Sequence, residues 1–325
     1  MVVGLVPGLI IGLREGVEAA LVVGIILAYL SKIGQRSLQR YVYLGSAVAI
    51  GASVAAAALF AALFGEFEGT AEQLFEGFAA LLAVVVLTSM IFWMMKAAKN
   101  IRKHVEQRID LLVDRRHVMG LASLAFIAVF REGVETVLFM AGLTGVATTA
   151  DIVAGVGIGI LLAAFLGFGL FRASWKINLK RFFQVTGVFL IVIAAGLFQL
   201  GVHELQEANH WGLDGQVYNT KYVDSNGNGV WDPGEPAILP DKLPEDGSVP
   251  SAAQVAGALL RGIVGYNDDP TQLELVAYGL YWAFTLVVYW GIRTGRIDVV
   301  THSLRRLWGL IRRSPEPSSP EPRAD

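Results

Sequence analysis

Residues 5–30 read LVPGLIIGLREGVEAALVVGIILAYL. A helix that crosses a bilayer needs about 20 mostly apolar residues. This run supplies them on both sides of a charged insert, Arg14-Glu15-Gly16-Val17-Glu18. The insert, and the length of the run, argue against a cleavable signal peptide. Further apolar runs of spanning length follow at about 41–64, 72–95, 119–143, 150–172, 182–204 and 272–292. An open sheet cannot cross hydrocarbon, because its edge groups would go unpaired, so the runs are expected to be helices. Composition agrees: 54% of the 325 residues are hydrophobic and 17% charged, with mean hydropathy +0.54, against about 25% charge in soluble domains. The reading is an all-α integral membrane protein with seven transmembrane helices. A net charge of −2 gives no reason to expect nucleic acid as a partner. The absence of cysteine excludes disulfides, zinc fingers and iron–sulfur clusters.

The basic residues set the orientation. Of the 26 lysines and arginines, Arg14 and Arg131 lie inside apolar runs, and Lys221, Lys242 and Arg261 lie between runs six and seven. All the others fall in segments 31–40, 96–118 and 172–181 or after residue 292, which a seven-helix chain puts on one side. The positive-inside rule then predicts an outer N-terminus and a cytoplasmic C-terminus in the cytoplasmic (inner) membrane. Trp93, Trp175, Trp282 and Trp290 fall near run ends, as interfacial anchors do. Segment 96–118 mixes basic residues with Ile101, Val105, Ile109 and Leu112 and reads as an amphipathic cytoplasmic helix. A seven-helix membrane domain is therefore expected over 1–292, with an acidic external connection at 205–271. A basic, then Pro/Ser/Glu-rich and disordered tail is expected over 293–325.

The insert recurs as Arg131-Glu132-Gly133-Val134-Glu135. Helices one and four are three crossings apart, so the two copies run in opposite directions. That predicts an inverted 3+3 repeat, 5–95 and 119–204, with helix seven added outside it; such repeats place binding groups at their interface near the midplane. At 1.5 Å per residue, Arg14 and Arg131 lie about 13 and 18 Å into their helices. Ionised side chains at such depth cost about 2.5–3.5 kcal/mol each on insertion scales, so they mark function by default. The spacing puts Arg and both Glu of each copy on one helix face. Four carboxylates against two guanidinia leave a formal −2, which calls for a cation. No His or Cys lies at that depth, so the donors are all oxygen and suit a hard cation.

The paired R-E-G-x-E motifs resemble the high-affinity iron permeases, the oxidase-dependent iron transporters of fungi and the bacterial Efe-type uptake systems. Val17 and Val134 stand where that family usually has Leu. The resemblance covers residues 1 to about 292, including His203-Glu204-Leu205-Gln206-Glu207 and Gly265-Tyr266-Asn267-Asp268-Asp269-Pro270. It implies transport of iron as substrate, most readily as Fe³⁺ after an oxidation step, with Glu15, Glu18, Glu132 and Glu135 as ligands. It also implies a separate ferroxidase or periplasmic iron-delivery partner, and no enzymatic activity. Arg14 and Arg131 are expected to balance charge and to limit how tightly the ion is held. Transport of another divalent cation is the alternative. A di-iron oxidase is disfavoured because neither motif has a His at the Glu-x-x-His offset, and a sensor would need a signalling domain or a partner.

Secondary sites admit two readings each. Glu72 and Glu76 share a face at the start of helix three, just after Glu66 and Glu68. They are either a solvated helix end or an entry site, with the resemblance favouring Glu76. His203, Glu207 and His210 fall at i, i+4 and i+7 if helix six persists. They make a polar terminus or a transition-metal site at the outer mouth. Asp224-Ser225-Asn226-Gly227-Asn228-Gly229-Val230-Trp231-Asp232-Pro233-Gly234-Glu235 fits an EF-hand loop. Asp224, Asn226, Asn228, Asp232 and Glu235 supply side chains and Val230 its carbonyl to Ca²⁺, unless the segment is simply an Asn/Gly/Asp turn cluster. His104, His117 and His302 read as solvated surface residues.

Overall fold

The computed structural model describes residues 4–64, 69–97, 101–114, 118–145, 147–171, 179–209, 238–240 and 251–294. These form α1 (Leu5–Lys32), α2 (Gln39–Phe64), α3 (Thr70–Ala97), α4 (Ile101–Asp114), α5 (Val118–Gly142), α6 (Thr149–Phe171), α7 (Leu179–Asn209), α8 (Ala252–Val264) and α9 (Gln272–Arg293), with no strand among the described residues. Glu66, Glu68, His117, His210, Trp175, the Asp224–Glu235 loop and the tail from 295 lie outside them, as does the side chain of His104. The chain divides into two compact units, 1–281 and 282–325.

Seven helices coincide with the apolar runs. At 22 to 31 residues, α2, α3, α6, α7 and α9 have the length and composition to cross a membrane. With 28 and 25 residues, α1 and α5 have the length too, but each carries the charged motif in its interior. One whole side of α2 is exposed and apolar, through Tyr43, Leu44, Val48, Ile50, Val54, Leu59 and Leu63. So large an apolar surface suits lipid rather than water.

The helices pair as α1 with α6, α2 with α5 and α3 with α7. Glycines make the approach possible. A Cβ on Gly155 of α6 would collide with the Leu5 carbonyl of α1, and one on Gly45 of α2 with the Ala122 carbonyl of α5. A Cβ on Gly16 would strike Ala163, and one on Gly133 would strike Ser53. These contacts share one register. Leu5 is as far from Ala122 in sequence as Glu15 is from Glu132, and Gly45 is as far from Gly155 as Ser53 is from Ala163. Between α3 and α7 the contacts are themselves reciprocal: Gly77 faces Leu205 and Gly201 faces Leu81. Small residues at such crossings let backbones meet where no hydrophobic force drives them together.

Two features beyond the apolar runs bear on the site. First, α7 continues to Asn209, so His203 and Glu207 share one helix at i, i+4, the condition the sequence reading set for them. Second, the 205–271 connection contains α8. Its start is fixed by a capping box, in which Ser251 Oγ accepts from Gln254 N at 3.2 Å and Gln254 Oε1 accepts from Ser251 N at 2.8 Å. Its end is Gly265, at φ 75°. At the other end of the bundle the apolar face of α4 packs on protein. Ile109 is fully buried among Ile26, Leu30, Val42, Leu121 and Ala125, and the Tyr29 hydroxyl donates to Asp110 Oδ1 at 2.6 Å.

Candidate metal site

Each motif sits within an unbroken helix, so the 3.6-residue period alone turns its charged residues to one side. The close crossings at Gly16 and Gly133 seat both helices deep in the bundle, and α1 and α5 also touch each other. Glu15, Glu132 and Glu135 converge, each offering a carboxylate oxygen within 4.8 Å of the others. Glu15 and Glu132 are buried, at 2% and 7% exposure. Glu18 is also buried but belongs to a second grouping around Arg14. Arg14 Nη1 donates to Glu15 Oε1 at 2.8 Å, and its Nη2 pairs with Glu18 Oε1 at 3.0 Å. The same guanidinium reaches Met90 Sδ at 2.8 Å and Met94 Sδ at 3.7 Å on α3.

Arg131 is placed differently. Its Nε donates to Glu135 Oε1 at 2.7 Å, its side chain is 46% exposed, and its guanidinium lies 5.4 Å from the ring centroid of Trp93. Trp93 thus has a specific cation–π partner besides its place near a helix end. Three carboxylates leave a solvent-shielded oxygen without a hydrogen-bond donor: Glu15 Oε2, Glu132 Oε2 and Glu135 Oε2. Buried polar atoms are normally paired. Acceptor-only oxygens from two helices have the chemistry to hold a cation.

A second cluster forms where α3, α7 and α9 present their ends near the α5–α6 turn. A Cβ on Gly145 in that turn would lie 3.0 Å from Glu76 Oε2 and 3.5 Å from Glu204 Oε1, so these two carboxylates border one spot. Glu72, a turn earlier, is exposed. Arg261 of α8 donates to the Gly145 carbonyl at 3.4 Å. His203 Nδ1 lies 3.0 Å from Glu274 Oε1, and its Nε2 lies 3.6 Å from Glu207 Oε2.

Glu274 was missed in the sequence. It is wholly buried in the first turn of α9 and accepts from Asn267 Nδ2 at 2.7 Å, Gln199 Nε2 at 3.2 Å and Thr271 N at 3.4 Å. Thr271 Oγ in turn accepts from Glu274 N at 3.3 Å. Thr271-Gln-Leu-Glu274 is a capping-box signature before an apolar run, and that signal was available.

Membrane-length helices around a buried carboxylate cluster define a multi-pass membrane protein. The family is set by comparison: the profile described as the iron permease FTR1 family matches residues 5–297, and the chain belongs to that family. It is 31% identical to the ferrous iron permease EfeU of Escherichia coli O6:H1 (strain CFT073), over 87% of this chain and 94% of that one. The Yersinia pestis ferrous iron permease EfeU is likewise 31% identical, over 87% and 92%. An uncharacterized Archaeoglobus fulgidus protein is 41% identical over 61% of this chain and 69% of its own. No solved structure matches the chain.

Proposed function

We propose that this chain carries iron across the cytoplasmic membrane between Glu15, Glu132 and Glu135, with Glu18 as a further carboxylate along α1. The observation that carries this reading is the three buried carboxylate oxygens with no donor, one each on the converging Glu15, Glu132 and Glu135. Each unsatisfied buried acceptor costs about 1–3 kcal/mol. One multivalent cation relieves several at once, whereas a purely structural Arg–Glu clamp would use those oxygens for pairing. Arg14 and Arg131 neutralise part of the charge, so the ion is held weakly enough to leave.

The chain is read as an inverted repeat of α1–α3 and α5–α7, with α9 outside it. The matched glycine contacts support this: exchanging α1 with α5 and α2 with α6 carries Gly16–Ala163 onto Gly133–Ser53 and Leu5–Gly155 onto Ala122–Gly45. The basic residues support an outer N-terminus. Glu76, Glu204, Glu207 and His203 then face outward and gather the cation, with Glu72 and His210 nearby in sequence. The loop from Asp224 to Glu235 is taken as a Ca²⁺ loop on its template match alone, and an external oxidase or delivery protein remains the partner that the family implies.

Ferrous iron is the form we favour, because the relatives carry that name. Fe³⁺ is the second reading, favoured by the all-oxygen donor set. Uptake of radiolabelled iron into proteoliposomes tests both, with iron offered as Fe²⁺ under reducing conditions and as chelated Fe³⁺. Glu15→Ala and Glu132→Ala are expected to abolish uptake while the protein still inserts. Wild-type rates in either variant would overturn the proposal.

A further inference from the structure

Glu274 does more than cap α9. A capping box needs only the contacts with Thr271. Here the same carboxylate also binds Gln199 and His203 of α7 and Asn267 before α9, and it is fully buried. All these partners present hydrogens to an acceptor-only group. His203 Nδ1 therefore carries its proton toward Glu274, and in the neutral ring the lone pair lies on Nε2. That nitrogen faces Glu207 Oε2 at 3.6 Å, one helical turn on, with the two side chains 36% and 54% exposed.

A direct charge-assisted hydrogen bond would stand at about 2.7–2.9 Å, and this pair is longer than that. Two ligands of one first-row metal, each bonded at about 2.0–2.2 Å, stand about 3–3.6 Å apart at ordinary angles. We propose that Glu274 is a positioning residue that fixes the ring of His203 so that His203 Nε2 and Glu207 form a capture pair for a divalent transition metal at the outer mouth. The proposal rests on the iron-transport reading above and adds to it where discrimination occurs. Imidazole favours iron over Mg²⁺ and Ca²⁺, which an all-carboxylate mouth would admit. Behind the pair, Glu204 next to His203 is buried, and its Oε1 borders the same spot as Glu76 Oε2. Those carboxylates form the next step inward for an ion that has passed the imidazole.

The test is a double-mutant cycle on full-length protein in liposomes. It follows the initial rate of radiolabelled Fe²⁺ uptake against free Fe²⁺, with and without excess Mg²⁺. Loss of a carboxylate behind a ligating His typically weakens metal binding about 10–100-fold. Glu274→Gln is expected to raise KM by about that factor with the maximal rate little changed, and to make uptake sensitive to Mg²⁺. In a His203→Ala background the same substitution should add almost nothing, because coupled residues are not additive. An equal KM rise in both backgrounds, a loss confined to the maximal rate, or no change would overturn the proposal and leave Glu274 as a cap.

Should Glu274→Gln fail to fold, His203→Ala and Glu207→Gln must each raise KM and must not add. A second readout is electron spin-echo modulation from one equivalent of Cu²⁺. Wild type should show the remote nitrogen of a coordinated imidazole, lost in His203→Ala and shifted in Glu274→Gln. Absence of that signal in wild type would also overturn it. The two proposals fail separately: a His203→Ala variant with wild-type KM sinks the capture pair even if Glu15→Ala abolishes uptake. A wild-type protein that moves no iron sinks the transport reading even if the copper signal is present.

Discussion

Arg14 and Arg131 occupy the same position in identical pentapeptides, yet they do different work. Arg14 is 2% exposed and shared between Glu15 and Glu18. Arg131 is half exposed and pairs with Glu135. The difference comes from α3, whose Met90 and Met94 meet Arg14 and whose Trp93 meets Arg131. Removing one member of a buried ion pair costs about 3–5 kcal/mol, because a charge is left unpaired in a poorly solvated place. Arg14→Met is therefore expected to lower the unfolding midpoint of the detergent-solubilised protein sharply, while Arg131→Met lowers it far less. Fluorescence-detected size-exclusion after graded heating measures both. Equal losses would mean that the asymmetry around α3 has no energetic content. The motif itself was plain in the sequence, since six ionisable residues in apolar runs demand an explanation. Its asymmetry was not, because it depends on α3 partners from 38 residues (Trp93 from Arg131) to 80 residues (Met94 from Arg14) away, whose side chains carry no local signal.

At the scale of the helix, glycine decides which faces can meet. Gly45 and Gly155 each abut a carbonyl of the partner helix, whereas a Cβ on Gly51 of α2 or Gly157 of α6 would meet nothing within 4 Å. Overpacking a tight contact costs about 1–3 kcal/mol, more when backbone must move. Gly45→Leu and Gly155→Leu should each cut the yield of monodisperse protein, and by similar amounts, since the two sites correspond under the proposed exchange of repeats. Gly51→Leu and Gly157→Leu should leave it near wild type. A tolerated Gly45→Leu beside a damaging Gly155→Leu would break the proposed correspondence.

The spanning helices were legible because an apolar run of fixed length has few other uses. The same rule is silent on α8, which is too short to span, and on the last turns of α7, where polar residues enter. There the informative signals were short and polar, Ser251-x-x-Gln254 and Thr271-x-x-Glu274. For α4, mixed composition showed amphipathicity but not what its apolar face covers. Only the fold shows that Ile109 enters a protein core.

For the first compact unit as a whole, connectivity and contacts give the same two ends. One end gathers the close of α1, the starts of α2 and α5, and α4, joined through Val42, Leu121, Ile109 and the Tyr29–Asp110 bond. The other gathers the start of α3, the α5–α6 turn, the close of α7, α8 and the start of α9, joined through Arg261–Gly145 and Glu274–His203. A chain that alternates sides at each crossing must sort its connections this way. Lys32, Arg36, Arg40 and Arg108 fall with the first end, which under the proposed orientation is the cytoplasmic one. The chain has no cysteine, so single introduced thiols report without background. Ser37→Cys lies in the short connection between α1 and α2, and Thr149→Cys opens α6 beside the α5–α6 turn; both positions are exposed. In cells with a permeable outer envelope, a membrane-impermeant maleimide should label Thr149→Cys at once and Ser37→Cys only after the cytoplasmic membrane is breached. The reverse pattern would invert the molecule, put His203 and Glu207 at the exit, and turn the proposed capture pair into a release site. Labelling of both in intact cells would mean that the chain does not keep one orientation, and the electrostatic reading of its connections would fail with it.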